Sequence, residues 1–458
     1  MEERGPYSRS IWSVNGLLDR ISGTIHPCVW NTEDEVGRMK RHTISYVSLF
    51  LCQILVLGAC SQNGHIGGRS MEPVAVLDFV VPSSFPNVMT DLQGYSLGSE
   101  KYAYLRMNDK AGAVESFRVV DMDSEETVYE GVFSQAKGND SLLIGDFSDL
   151  ATPGYYRVEC EKYGCSEVFR ISENLYGQLS DKTKETIIES CRDLSADPQT
   201  VLDYLQAYEW YADILSDPQD SQDANVISGA PDELVCVRDW ISGKDYEGSV
   251  GTEAVVYSTI LAKFSFLYKT YDSALATECL QKASSIYSQS GNVVRSDSAA
   301  FRALAELYRA SGESAYEAEL ENYKEFFSSG DVHPDEGYMY GAMTYIVTRQ
   351  TVDRDLCDML VDSILADAQS INNRKREITD PMYSQTDGNE EMVGYIRTLM
   401  CANYILKGYE YDRTMQMMLH YLSGLNVESS VYGPDAGTEG VYYLIYSCMA
   451  ALERDGKL

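Results

Sequence analysis

The sequence predicts a multidomain chain in which a β-sandwich over residues 74–172 precedes an all-α domain over 173–458, built of paired helices closing into a ring. Three observations carry that expectation. The hydrophobic period is two as far as Ile171-Ser172 and 3.6 beyond it. About seven short runs rich in aromatic and β-branched residues fall within ~100 residues before the change, the density of a sandwich. About twelve helical stretches follow it, joined by short connections and without a repeat of fixed length.

The strand-like runs include Tyr102–Met107, Ser116–Val120, Thr127–Tyr129 and Tyr155–Val158. Turn chemistry separates them at Asn108-Asp109-Lys110, Lys137-Gly138-Asn139-Asp140 and Thr152-Pro153-Gly154. The helical stretches are predicted over 179–191, 197–216, 231–243, 250–271, 273–290, 296–311, 313–328, 335–350, 353–371, 390–407, 410–424 and 438–454. Several ends are punctuated. Ser216-Asp217-Pro218 stops one helix, and Ala230-Pro231-Asp232-Glu233 starts the next with proline in the first turn. Short connections make successive helices antiparallel neighbours, and such pairs either stack as a solenoid or, six together, close a ring, which the want of a fixed repeat favours.

Ahead of both domains stands an export signal. Met39-Lys40-Arg41-His42 is basic, Thr43–Val56 is apolar and too short to span a bilayer, and Leu57-Gly58-Ala59-Cys60 closes the run. That order is of the lipoprotein type. It predicts cleavage before Cys60, lipidation of its thiol, and an extracellular protein anchored to the membrane by lipid. Residues 1–60 then form the leader, with Met39 the expected start, and the polar residues 61–73 form a tether.

The formal net charge is −33, and the segment after residue 60 carries all of it. Such acidity repels nucleic acid and anionic lipid and fits a neutral partner. Eight cysteines follow Cys60. Cys160 and Cys165 flank a turn, a spacing that allows a local disulfide, and the others sit singly on apolar helix faces as buried thiols. No CxxC occurs, and His65, His333 and His420 are far apart, so no metal site is expected.

Val88-Met89-Thr90-Asp91-Leu92-Gln93-Gly94-Tyr95, Phe117–Asp121, Asp146–Leu150 and Thr152–Val158 together resemble the immunoglobulin-like domain that precedes many cellulases. Ala207-Tyr208-Glu209, Pro231–Leu234 with Asp239-Trp240, Ala303–Gly312 and Tyr421–Asn426 are similar to family 9 glycoside hydrolases. The resemblance implies an immunoglobulin-like β-sandwich followed by an (α/α)6 barrel. It also implies a plant-type β-glucan, or its oligosaccharides, as ligand.

Inverting hydrolysis needs an acid on one face of the sugar and a base for water on the other, ~6.5–9.5 Å apart. The family's base comes from an Asp-Ala-Gly-Asp motif. At that place this chain has Asp193-Leu194-Ser195-Ala196-Asp197-Pro198, with the aspartates four apart and the glycine missing. Asp193 and Asp197 are therefore the base candidates, the alternative being that Asp197 caps the helix opening at Pro198. Glu439 matches the family's acid by its spacing from Ala451-Leu452, the alternative being a first-turn glutamate favoured by the helix dipole. The family's substrate-holding His and Arg have no counterpart before the last helix.

Tyr383 and Tyr432 are loop tyrosines on the side where the family binds substrate, and are candidate platforms for sugar. Trp210 and Trp240 sit at scaffold positions and are expected in the core. The family often holds structural calcium, but no oxygen-rich loop motif here calls for it. Three classes of function stay open: a glycan-binding surface protein with an impaired catalytic site, an inverting endoglucanase or cellodextrinase, and a structural surface protein without a glycan ligand.

Overall fold

The computed structural model describes residues 86–107, 114–136, 142–215, 229–246, 249–290, 297–328, 335–375, 388–426, 428–434 and 437–458, all of which belong to one compact unit. The expected export signal with Cys60, the expected tether, and the loop residue Tyr383 lie outside the described residues.

Among the described residues nine strands build the β domain: β1 (Val88–Met89), β2 (Tyr95–Ser96), β3 (Tyr102–Arg106), β4 (Glu115–Asp121), β5 (Thr127–Gln135), β6 (Leu142–Asp146), β7 (Gly154–Cys160), β8 (Gly164–Cys165) and β9 (Phe169–Ser172). Their order is β1-β3-β6-β5-β4-β7-β9-β2, with β8 on β7. All pairings are antiparallel except β2 with β9. The nine-residue β5 pairs with β4 along most of its length and with β6 at Ser134 and Gln135, so one long strand serves both layers. Alternation does the sorting. Phe117 and Val119 of β4 face Phe133, Phe147 and Val158 in the core, while Arg118 points out to Glu159 at 2.7 Å.

The disulfide between Cys160 and Cys165 does not form, and both are free thiols. Cys165 lies opposite Glu159, and Cys160 lies opposite Gly164. Residues opposite one another share a face, so the period of two sends the two thiols to different sides. Cys160 is accordingly buried and Cys165 exposed.

Thirteen helices follow among the described residues: α1 (Leu175–Arg192), α2 (Pro198–Leu215), α3 (Asp232–Gly243), α4 (Gly251–Tyr268), α5 (Ser273–Gln289), α6 (Ser298–Ser311), α7 (Ser314–Glu321), α8 (Tyr323–Phe327), α9 (Glu336–Val347), α10 (Arg354–Lys375), α11 (Asn389–Leu406), α12 (Asp412–Leu422) and α13 (Glu439–Arg454). The single helix predicted over 313–328 is two. The N–H of Asn322 bonds Glu319, three residues back, and the tightened turn interrupts the run.

Helices α2, α4, α6, α9, α11 and α13 pack each on the next, and α13 returns to α2, so the ring closes. The remaining helices lie outside it. The composition explains the sorting: α9 and α13 are buried nearly all round, whereas α5 buries only Ala276, Cys279 and Ala283. First-turn residues of α2, α9 and α13 meet one another, so the inner helices run the same way and the ring has an N-terminal and a C-terminal mouth. Between the mouths Trp210 stacks on Tyr404 at 5.0 Å and meets Tyr340 edge-on at 5.8 Å, filling the lumen. Trp240 is fully buried and donates its Nε1–H to Ala196 O at 3.1 Å. Both tryptophans are thus core residues.

The β domain is fastened to the ring by direct bonds. Leu92 N donates to Ser423 O at 2.7 Å, and Tyr446 donates its hydroxyl to Gln93 Oε1 at 3.1 Å. Glu453 of α13 accepts from Leu175 N and Tyr176 N, capping α1 as it leaves β9.

Candidate functional site

The N-terminal mouth collects the carboxylates that the sequence singles out. Only the residues from Asp193 to Asp197 connect α1 to α2. Asp193 follows the last turn of α1, is exposed, and accepts from Ser195 N at 2.9 Å. The Ser195 hydrogen bonds hold its carboxyl below the usual range. Asp197 caps α2. Its Oδ1 accepts from Gln199 N at 2.8 Å and Thr200 N at 3.2 Å, and its Oδ2 accepts from Thr200 Oγ1 at 2.5 Å. Both oxygens are engaged by the first turn of the helix they start.

Glu439 is the first residue of α13, partly exposed, and its Oε2 accepts from Gly437 N at 2.8 Å. Gly437 has φ +94, a backbone conformation open to glycine. A Cβ built on it would stand 3.7 Å from Asp197 Oδ2. The two carboxylates therefore flank one residue and are no more than about 9 Å apart by standard backbone dimensions. Gly440 makes this approach feasible, because a Cβ there would fall 2.5 Å from Thr200 O and 3.0 Å from Asp203 Cβ. Asp193 is not part of this pair.

Tyr432 is half-buried, with its hydroxyl donating to Glu428 Oε2 at 2.7 Å and its ring parallel to Tyr421 at 6.4 Å. Burial and the Glu428 carboxylate push its phenol up to about 12.

Below the rim lies a cluster with no counterpart among the sequence candidates. Gln199 Nε2 donates to Asp203 Oδ1 at 3.0 Å and also to Glu336 Oε1. Glu336, the first residue of α9, is gripped by Arg397, and Arg302 Nη1 lies 3.5 Å from its Oε1. The Arg302 guanidinium sits 4.7 Å from the centre of the Tyr340 ring. Burial, and then the Glu336 charge, push the Asp203 carboxyl well above the usual range. Burial alone would raise Glu336 too, but Arg397 and Arg302 outweigh it and hold that carboxyl low. Asp203 and Glu336 thus stand side by side with their carboxyls shifted in opposite directions.

A second charged network closes the lumen further along. Lys263 and Arg309 bind Glu209 and Glu306, with Gln206 and Thr344 completing the hydrogen bonds. Burial would raise Glu209, but Arg309 and Lys263 hold it at about 2. Its charges balance and its members are buried, which marks it as framework. Among the described residues no group of three or more His, Cys, Asp or Glu side chains could hold a metal ion.

Sequence reasoning missed Asp203, Arg302, Glu336 and Arg397 because each reads singly as a polar residue in an apolar helix. The signal was there in Val201-Leu202-Asp203-Tyr204-Leu205 and Ala300-Phe301-Arg302-Ala303-Leu304, where a charge interrupts a buried face.

The family described as the cellulase N-terminal immunoglobulin-like domain matches residues 84–164. Among solved structures, the chain is similar to a metagenome-derived glycoside hydrolase family 9 endoglucanase, with TM-score 0.63 and 16% identity over 81% of this chain and 99% of that one. It is also similar to a family 9 glycoside hydrolase from Bacteroides ovatus, with TM-score 0.59 and 14% identity over 80% of this chain and 99% of that one. A thermostable endoglucanase single mutant from Alicyclobacillus acidocaldarius gives TM-score 0.57 and 15% identity over 76% of this chain and 83% of that one. No curated protein matches. At these identities the likeness shows the fold: an immunoglobulin-like β domain followed by a helical barrel of the (α/α)6 type.

Proposed function

We propose that this chain is a carbohydrate-active protein of the cellulase type that receives a β-linked glycan, of β-glucan kind, at the N-terminal mouth of its ring. One observation supports the further reading that its catalysis is impaired: the Asp197 carboxylate is tied to the helix it caps by three donors on its two oxygens. Three of its four lone-pair sites are taken, and Oδ2 has a single one left to offer a water. Asp193 has exposure but stands outside the pair formed by Asp197 and Glu439.

A specific observation favours a second reading, in which the protein is an inverting endoglucanase or cellodextrinase. Asp197 and Glu439 flank Gly437 no more than about 9 Å apart, under the upper limit of the separation that inversion uses. Glu439 would then be the acid, and Asp197 a base released from its capping bonds.

Incubation with carboxymethylcellulose and soluble β-glucans separates the two readings. Retarded migration in a β-glucan affinity gel without new reducing ends supports the first. Turnover abolished by Glu439→Gln supports the second. Absence of both retardation and turnover removes each of them, leaving a structural surface protein.

The order of residues from Met39 to Cys60 supports a place at the outer face of a membrane, held by lipid on Cys60. Labelling of cells with a radioactive fatty acid tests it. Label retained in a Cys60→Ala variant would refute the anchor.

A further inference from the structure

Two buried side chains of the N-terminal mouth, Arg302 and Tyr340, and the partly buried Arg397 carry donors that nothing among the described residues accepts. Arg302 is 3% exposed, and neither its Nε nor its Nη2 has a partner. Arg397 Nε and the Tyr340 hydroxyl are in the same condition. All belong to one cluster, since both arginines approach Glu336 and the Arg302 guanidinium lies over the Tyr340 ring. A buried polar atom left unpaired is destabilising, so four in one place amount to a standing demand for acceptors.

Charge points the same way. Two guanidinium groups face two carboxyls, of which Glu336 is held low by them and Asp203 is raised by burial and by the Glu336 charge, so the negative charge opposite the arginines is weighted to Glu336. The group that satisfies an arginine fork is planar, anionic and rich in acceptors, and a carboxylate has that shape. The cluster is not sealed: the Glu336 side chain is 25% exposed and that of Arg397 is 17% exposed. The acidity of the whole chain does not exclude such a ligand, because exposed charges are screened beyond about 8 Å at physiological salt while the buried donors act at contact.

We propose that the mouth selects an acidic sugar, a uronosyl unit of a β-linked glycan, whose carboxylate is received by Arg302, Arg397 and the Tyr340 hydroxyl. This rests on the reading of the mouth as a glycan site and narrows the ligand from neutral glucan to a carboxylated one. The arginines are positioning residues here, and no bond is made or broken.

Titration calorimetry of the full chain with methyl β-D-glucuronide, methyl β-D-glucoside and inorganic phosphate tests the proposal. The expected result is binding of the glucuronide at least tenfold tighter than of the glucoside, with phosphate weaker than the glucuronide. Arg397→Gln, at the more accessible arginine, should abolish that preference, and Arg302→Lys, which keeps the charge but loses the fork, should reduce it. The unsubstituted protein alone suffices to overturn the proposal, so misfolding of a variant does not shelter it. Equal affinity for glucuronide and glucoside sinks it, as does failure of the glucuronide to bind. Phosphate binding as tightly as the glucuronide would assign the donors to a free anion, which also sinks it. Retardation by β-glucan decides the broader glycan reading separately, so the two can fail independently.

Discussion

His420 Nδ1 lies 2.6 Å from Asp91 Oδ2, and both side chains are buried where the β domain meets α12. The same Asp91 accepts from Gln93 N at 2.8 Å and Gly94 N at 2.9 Å, which shapes the turn leading into β2. One carboxylate therefore sets the turn and ties it to the helical ring. Removing either partner strands the other in a dry interface. Asp91→Ala and His420→Ala are each expected to lower stability by about 2–4 kcal/mol. Urea unfolding followed by fluorescence and by circular dichroism checks this, and midpoints unchanged from the parent would refute it.

Stability should fall as pH rises from 5 to 8. Burial raises Asp412 from 3.8 to about 7 and Glu453 from 4.5 to about 7. For an acid whose pKa is raised by folding, the native state binds more protons between the unfolded and folded values, so stability declines with pH across that window. Asp203 shifts in the same direction. Asp412 is 5% exposed and its Oδ2 has no partner, so its ionisation costs up to about 3 kcal/mol. Asp412→Asn should flatten the profile. A melting temperature of the parent that climbs between pH 5 and 8 would contradict the argument.

The two roles open to Asp197 separate on different readouts, the cap in stability and the base in turnover. As a cap, Asp197→Asn should be nearly silent in stability, and Asp197→Ala should cost about 1 kcal/mol. As a base, Asp197→Asn should eliminate any release of reducing ends while leaving the melting temperature in place. Measuring both quantities on both variants decides between them.

Lys263→Met should destabilise the ring by about 3–5 kcal/mol, because it leaves Glu209 and Glu306 buried with Arg309 as their remaining cation. Glycan retardation by the variant, assayed below its melting temperature, should match the parent. Loss of retardation by a folded variant would mean that the two mouths are coupled.

The sequence made the helical order legible to within a few residues, since apolar period, proline starts and glycine ends all agree locally. It singled out Asp197 and Glu439 through the resemblance, and both stand at helix starts. It could not show that they share Gly437, since 240 positions of chain separate Asp197 from that glycine. The cluster of Asp203, Arg302, Glu336 and Arg397 was hidden for the same reason. Four helices contribute one residue each, and only ring closure turns four isolated charges into one site. The separation of Cys160 from Cys165 was readable in principle, but depended on a register that a two-residue strand barely announces.

The stacked Trp210 and Tyr404 tie α2 to α11 inside the ring. On the glycan reading, a sugar chain held at the N-terminal mouth would meet packed side chains beneath it, so it would arrive and depart by the same door.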